Sequence, residues 1–240
     1  MGRRALIGTL TGVSIDRELL SRPALQVAPV LLGATLLSSI GGAEVLVRIT
    51  EVEAYEGSLD AASHAYRGQT KRNAVMFGEA GRLYCYFVYG MHWCANITCG
   101  RPGTAAAVLL RAAEILDGEP VAQARSVART PSRLSRAKLA SGPARLARVL
   151  GLTGEHTGLD LLDDRSPVRL IGLPATDPQD TDPQAPEGEP PPGYRTGPRV
   201  GVAAAAEHPW RFWLPDEASV SAYRPGGRKR IAATRQTEAP

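Results

Sequence analysis

Residues 41–55 read G-G-A-E-V-L-V-R-I-T-E-V-E-A-Y, and this stretch decides the fold. After Gly41-Gly42, the residues Val45, Val47, Ile49, Glu51, Glu53 and Tyr55 recur at every second position among β-branched neighbours, the pattern of a strand. The pleat of a regular strand places all six side chains on one face. Two acids at the end of an apolar face either reach solvent at a frayed strand end or sit at the mouth of a pocket. Burial in a pocket raises a glutamate pKa toward neutrality and makes the group a usable general base. Tyr55, one same-face step beyond Glu53, sets an aromatic plane beside the acid and favours the pocket.

Downstream, Leu83–Asn96 reads L-Y-C-Y-F-V-Y-G-M-H-W-C-A-N. Leu83–Tyr89 is β-rich, Gly90 punctuates it and Met91–Thr98 returns, which predicts a hairpin. Tyr84 and Tyr86 face one way, whereas Leu83, Cys85, Phe87 and Tyr89 face the other. Tyr86 can therefore line a pocket while Tyr89 projects from the tip. An aromatic ring there costs apolar exposure unless something covers it. Either it packs on a neighbouring loop, or it wedges into a nucleic-acid stack and fills the gap left by an extruded base. Between the two segments lie S-H-A-Y-R-G (63–68), T-K-R-N (70–73) and M-F-G (76–78). A packed core does not need tyrosines crowded around an acid; a pocket for a flat aromatic ligand does.

Further out, Ala28–Leu37 reads as a short helix with Pro29 in its first turn. Pro131–Leu150 includes a second helical stretch, broken at Gly142-Pro143. Residues 173–197 turn to Pro, Asp, Glu and Gly, a composition that buries little apolar surface and predicts a mobile surface loop. Arg199–Ala204 reads as another strand. The expected organisation is one domain over 1–222 and a disordered basic tail over 223–240, with Met1–Arg4 loose.

The net charge of +4 is modest but uneven. Between Arg111 and Arg148, eight basic residues (Arg111, Arg125, Arg129, Arg133, Arg136, Lys138, Arg145, Arg148) outnumber Glu114, Asp117 and Glu119. That run is either a solvated helix face or a surface for phosphates, which position a protein without reading sequence. No apolar run reaches the length of a membrane span, and the start lacks a signal peptide's apolar core. Three cysteines form no even framework and fit a reducing compartment, so a cytoplasmic location is expected. Cys85, His92, Cys94 and Cys99 lack the close Cys pairs of zinc sites; although His92 and Cys94 share a strand face, buried small hydrophobes are the better reading and no metal is expected. No phosphate-loop or dinucleotide fingerprint is present, so no cofactor is implied.

Taken together, these motifs resemble the alkyladenine (3-methyladenine) DNA glycosylase family. The similarity runs from roughly Leu19 to Ser221 and is densest at Glu51–Gly57, Ser63–Asn73, Met76–Phe77, Leu83–Asn96, Val108–Glu114, Gly142–Leu146 and Pro198–Gly201. The resemblance implies a single α+β domain with a curved, mostly antiparallel sheet surrounded by helices. It also implies a protruding β-hairpin for insertion into the DNA minor groove. By the same resemblance Glu53 is the general base and Arg111 lies near the catalytic water and the phosphates. Tyr55 stacks on one side of a flipped base, with His64 and Tyr86 on the other. Asn96 crowds out the exocyclic amine of normal guanine, and Tyr89 intercalates. Leu109, Lys71, Arg72 and Gly142 are DNA contacts. The implied partner is double-stranded DNA containing damaged purines, bound by a monomer that in a bacterium is nucleoid-associated. The family uses no covalent step, and Lys71 is placed at a phosphate rather than as a nucleophile, so the expected enzyme is monofunctional.

The chemistry agrees with those residue types. An N-glycosidic bond breaks through an oxocarbenium-like state, in which a carboxylate both orients water and stabilises positive charge. Tyrosine faces favour a cationic, alkylated purine by about 0.5–2 kcal/mol per good contact. Extruding a base costs a few kcal/mol, less at a damaged site. Two rivals stand beside this reading. A non-catalytic lesion-binding module would keep the pocket without the chemistry. A carbohydrate hydrolase would use Glu51 and Glu53 as an acid pair about 6.5–7 Å apart, a spacing inverting enzymes allow. Parallel side chains on one strand, however, cannot flank a bond from opposite sides.

Overall fold

Strand β2 (Val45–Tyr55) is the centre of the sheet. In the computed structural model, which describes residues 15–128, 133–172 and 193–227, it pairs along nearly its whole length with β5 (Ala106–Asp117). Its other edge carries β1 (Thr35–Ser38) over the first half and β8 (Arg211–Trp213) over the second. The remaining strands are β3 (Leu83–Val88), β4 (His92–Cys99), β6 (Val168–Gly172) and β7 (Arg195–Gly197). The order is β3-β4-β5-β2-β1-β6, with β7 beyond β8, and every pair is antiparallel. Among the described residues five short α-helices flank the sheet: α1 (Arg17–Leu20), α2 (Ala24–Val30), α3 (Glu119–Val127), α4 (Arg136–Leu139) and α5 (Pro143–Val149). Their buried faces, such as Val27, Val30 and Leu31 around α2 and Leu146 and Val149 on α5, join one apolar core with the strands. The chain is thus the single α+β domain expected, with a mostly antiparallel sheet.

The expectation that six alternate residues of β2 share a face is wrong, and the reason shapes the site. Val45, Val47 and Ile49 enter the core, but beyond them the core members are Val52 and Ala54. On β5 the core set likewise changes from Ala113 and Ile115 to Val108 and Leu110. The pairing is irregular at that level: Ile49 opposes Ala113, Glu51 opposes Ala112 and Val52 opposes Leu110. Such a bulge re-aims the side chains that follow it, because each one-residue offset exchanges the two faces. Glu51, Glu53 and Tyr55 therefore point away from the apolar face that Val45, Val47 and Ile49 occupy.

Three boundaries also differ from the sequence reading. The helix expected over Ala28–Leu37 is α2, Ala24–Val30, with Pro29 in its last turn, and Thr35–Ser38 is strand β1. Gly33, at φ 83°, stops the helix there, and a short apolar run buried on every side reads alike in helix and strand. The strand expected over Arg199–Ala204 is instead β7 at Arg195–Gly197. Residues 199–204 form turns because the Arg199 side chain anchors inward and Gly201 takes φ 73°. The supposed loop 173–197 therefore ends in a strand, and its residues 173–192 lie outside the described residues. Of the supposed tail, residues 223–227 are described and mostly exposed, joined to the domain where the Gly201 N–H donates to the Arg224 carbonyl at 2.9 Å. Residues 228–240, like Met1–Arg4, lie outside the described residues.

Candidate active site

The re-aimed half of β2 delivers Glu53 to the wall of an open cleft of about 540 Å³, within the size range of small-molecule sites. Glu53 is wholly buried. One carboxylate oxygen, Oε1, accepts the Val200 N–H at 2.6 Å and lies 3.2 Å from Arg111 Nη1; the other, Oε2, accepts the Tyr55 hydroxyl at 2.9 Å. Burial pushes the Glu53 carboxyl above the ordinary carboxylate range, and Arg111, the Val200 amide and the Tyr55 hydroxyl pull it only part of the way back. Burial also opposes the charge on Arg111, but Glu53 and Glu51 outweigh that and raise its pKa. A carboxylate that is held, partly compensated and set in the wall of a cleft suits a general base.

Glu51 is the opposite case. Its Oε1 accepts Arg111 Nε at 2.8 Å, Arg211 Nε at 2.7 Å and the Ser221 hydroxyl at 2.9 Å, while Oε2 accepts the Ser221 N–H at 2.7 Å. Its acceptor capacity is used, it lines none of the large cavities, and it holds Arg111 for Glu53. The acid-pair arrangement of a carbohydrate hydrolase is therefore absent.

Around Glu53 stand the aromatic residues that the hairpin and β2 supply. Tyr55, His64 and Tyr86 line the cleft and also an adjoining recess of about 70 Å³ that Met76, Tyr84 and Asn96 close. The His64 ring meets Tyr86 edge-on at 4.4 Å and 84°, and its Nδ1 pairs with the Tyr84 hydroxyl at 3.1 Å. Burial, then the nearby Arg72, holds His64 below its ordinary pKa and so neutral at pH 7. Asn96 is buried and anchored, its Nδ2 donating to the Tyr84 carbonyl at 3.0 Å. Cations already stand by both tyrosine rings: Arg199 lies 4.6 Å from the Tyr55 centroid and Arg72 lies 5.6 Å from that of Tyr86. Part of the rings' attraction for a positive base is thereby taken, which weakens the selection for charge expected from bare tyrosine faces.

Tyr89 also lines this cleft, at the tip of the β3–β4 hairpin, and is 84% exposed. Tyr89 and Gly90 are both left-handed, at φ 52° and 65°, and the Met91 N–H closes the turn on the Val88 carbonyl at 3.1 Å. A non-glycine residue in this region is strained, and here the strain aims an uncovered ring outward. Phe87 and Met91 beside it are exposed as well. Leu109 and Arg111 line the cleft from β5, and Pro143 and Ala144 from the start of α5. Gly142, at φ 102°, makes the turn that brings those two residues there. Arg72 lines the cleft, whereas Lys71 is exposed outside it.

The basic run divides by role. Arg125 donates to the carbonyls of Val149 and Ile40 at 2.7 and 2.6 Å, and Arg136 to that of Ile115 at 2.6 Å. These arginines serve helix and strand ends rather than ligands. Arg133, Lys138 and Arg145 are exposed, and Arg129 lies outside the described residues. Cys85, Cys94 and Cys99 are buried free thiols, burial pushing Cys85 up to about 12 and Cys94 up to about 11. Among the described residues no three His, Cys, Asp or Glu side chains cluster as metal ligands. Another concavity of about 510 Å³ is lined by residues including Arg17, Leu162, Asp163 and Arg169, and no residue of β2 reaches it.

Sequence reasoning assigned no role to Arg199, Val200, Arg211, Ser221 or Asp60, all of which fix the β2 acids and Tyr55. Pro198–Gly201 stood out as a motif match, yet no local pattern says that its amide reaches an acid 147 positions away.

A sequence model of the methylpurine-DNA glycosylase family matches residues 18–218. Provisionally named 3-methyladenine DNA glycosylases from Leifsonia xyli and Frankia casuarinae are 47% and 48% identical over 212 and 209 residues, spanning 87% of this chain and 92% of each relative. One from Streptomyces avermitilis is 43% identical over 213 residues, 88% of this chain and 92% of its own length. The chain belongs to the methylpurine-DNA glycosylase family. It is accordingly a DNA glycosylase of DNA repair, a hydrolase of N-glycosyl bonds. Among the described residues no helix is long and apolar enough to cross a membrane.

Proposed function

We propose that the protein is a monofunctional glycosylase that takes alkylated or deaminated purines out of duplex DNA and hydrolyses their N-glycosidic bond with water activated by Glu53. The reading rests on one observation: the buried carboxylate that faces the cleft shares that cleft with Tyr55, His64, Tyr86 and the exposed hairpin ring of Tyr89. Water attacks the anomeric carbon and gives its proton to Glu53 as the base leaves with the bonding electrons. Arg111 holds the carboxylate from one side, and the ionised acid offsets the charge that develops on the sugar. The purine stacks between Tyr55 and the His64–Tyr86 pair, Asn96 excludes the exocyclic amine of guanine, and Tyr89 fills the vacated stack. Lys71, Arg72, Leu109 and the Gly142 turn contact the DNA. The names of the relatives support 3-methyladenine among the lesions. The protein works as a monomer in the cytoplasm with the nucleoid, a reading supported by its DNA substrate.

The test is release of free base from duplexes carrying hypoxanthine, 3-methyladenine or ethenoadenine. Wild type releases base and leaves an uncleaved abasic site, while Glu53→Gln binds the same duplexes and releases none. Tight binding by wild type without release would replace the enzyme with a lesion-binding module, and strand cleavage would remove the monofunctional assignment.

A further inference from the structure

We infer that Arg199, clamped by Asp60, is a positioning residue that registers the 198–205 segment on β2 and thereby sets both Glu53 and Tyr55. The inference rests on the proposed roles of those two residues. Arg199 is the largest fully buried side chain among the described residues. Its fork meets Asp60 at 2.5 Å (Nη1 to Oδ2) and 2.8 Å (Nη2 to Oδ1), and Asp60 is itself wholly buried. Nη1 also donates to the Ala54 carbonyl at 3.0 Å, at the residue between Glu53 and Tyr55. The guanidinium lies 4.6 Å from the Tyr55 centroid and 5.0 Å from that of Trp210, which stacks in turn on His208 at 4.3 Å. Nε has no hydrogen-bond partner.

Burying an ion pair carries a desolvation cost for each charge, and packed hydrophobes of similar volume often hold a fold equally well. The space between Tyr55 and Trp210 could be filled that way. What a hydrophobe cannot do is fix direction. The fork on Asp60 locks the guanidinium plane, the plane supports one face of the Tyr55 ring, and the ring's remaining surface lines the cleft. The residue after Arg199 then presents its N–H to Glu53 Oε1 at 2.6 Å. One cation therefore holds the stacking surface and a hydrogen-bond donor to the base at the same time.

The charged and titratable groups facing Glu53 are Glu51 and Tyr55 on β2, Arg111 on β5, Tyr86 and Cys94 on the hairpin strands, and Arg199 on this segment. Arg211 on β8 is spent on Glu51. If Arg199 releases the segment, Glu53 loses the Val200 amide but keeps Arg111 and Tyr55. Its ionised form is then less favoured, and the acid limb of activity moves to higher pH.

The experiment is single-turnover release of hypoxanthine against pH for wild type, Arg199→Lys, the double variant Arg199→Met/Asp60→Asn, and Glu53→Gln, with melting curves beside it. The double variant removes both buried charges together, so it is expected to melt close to wild type. Its acid limb should rise by about one pH unit, and its plateau rate should fall roughly tenfold as Tyr55 loses its support. Arg199→Lys keeps the charge but not the planar fork, and should shift the limb in the same direction; it carries the test if the double variant fails to fold. A folded variant of either kind with the wild-type limb and plateau would overturn the inference. Wild-type release by Glu53→Gln would instead remove the general base, and the two failures are separate readouts.

Discussion

Glu51 and Glu53 lie two residues apart on β2 and do opposite work, and substitutions should separate them. Glu51 joins two buried arginines, so Glu51→Gln leaves Arg211 without its carboxylate and Arg111 with Glu53 alone, and is expected to cost about 3 kcal/mol of stability by denaturant unfolding. Glu53 has a folded pKa above its unfolded value because burial dominates. Its contribution to stability is therefore full below the unfolded pKa and is lost as pH rises through the folded one. Above the unfolded pKa the group is therefore a net cost, and Glu53→Gln is expected to melt no lower than wild type while release falls by a factor of about 10² or more. A melting point several degrees lower would show that the carboxylate's partners outweigh its burial. Asn96, pinned by the Tyr84 carbonyl, is expected to exclude guanine: Asn96→Ser should release normal guanine measurably faster than wild type. Residue types made the two acids and Tyr55 visible, since Glu-x-Glu-x-Tyr and a row of tyrosines are unusual company, whereas Asn96 was singled out by the family resemblance. Their division of labour was not visible, because it is set by Arg111, Arg211, Ser221 and Val200, which are far away in the chain.

The hairpin is the element most legible in the sequence. Alternation from Leu83 to Thr98 and Gly90 at the turn located β3, β4 and the exposed tip, since a two-stranded ladder needs only local pairing. The left-handed φ of Tyr89 was not legible, and it makes the tip testable. Glycine tolerates φ 52° where alanine pays roughly 1 kcal/mol. Tyr89→Gly should therefore unfold at higher denaturant than Tyr89→Ala, and both should bind a lesion duplex more weakly than wild type. Equal lesion affinity in all three proteins would remove Tyr89 from the DNA. Strand β2 was recognised as a strand but not in its facing. Its bulge arises between partners, from the offset of β2 against β5, and periodicity within one segment carries no record of it. The β1 region misled for a related reason: Leu36 and Leu37 are buried in a strand inside the sheet, and full burial erases the period that separates strand from helix.

At the scale of the molecule, a chain of net charge +4 acts on a polyanion. Lys71 and Arg72 are exposed at or beside the cleft, so replacing either with alanine should weaken binding to duplexes of every sequence and lower the slope of log affinity against log salt by about one. An unchanged slope would move the phosphate contacts elsewhere, with the exposed Arg133, Lys138 and Arg145 next to test. The basic run is neither one solvated face nor one phosphate surface. Arg125 and Arg136 end as caps on backbone carbonyls, which composition cannot foresee. By itself the sequence determined the hairpin and which residue types surround the acid, because these follow from short-range periodicity and from side-chain chemistry, while the class of the fold followed from the resemblance of its motifs to a known family. Only the tertiary structure decided which acid lines the cleft, which way it faces and what holds it. Those depend on a pairing offset between β2 and β5 and on contacts from Arg199, Val200, Arg211 and Ser221, and a desolvated charge takes its properties from whatever the fold brings against it.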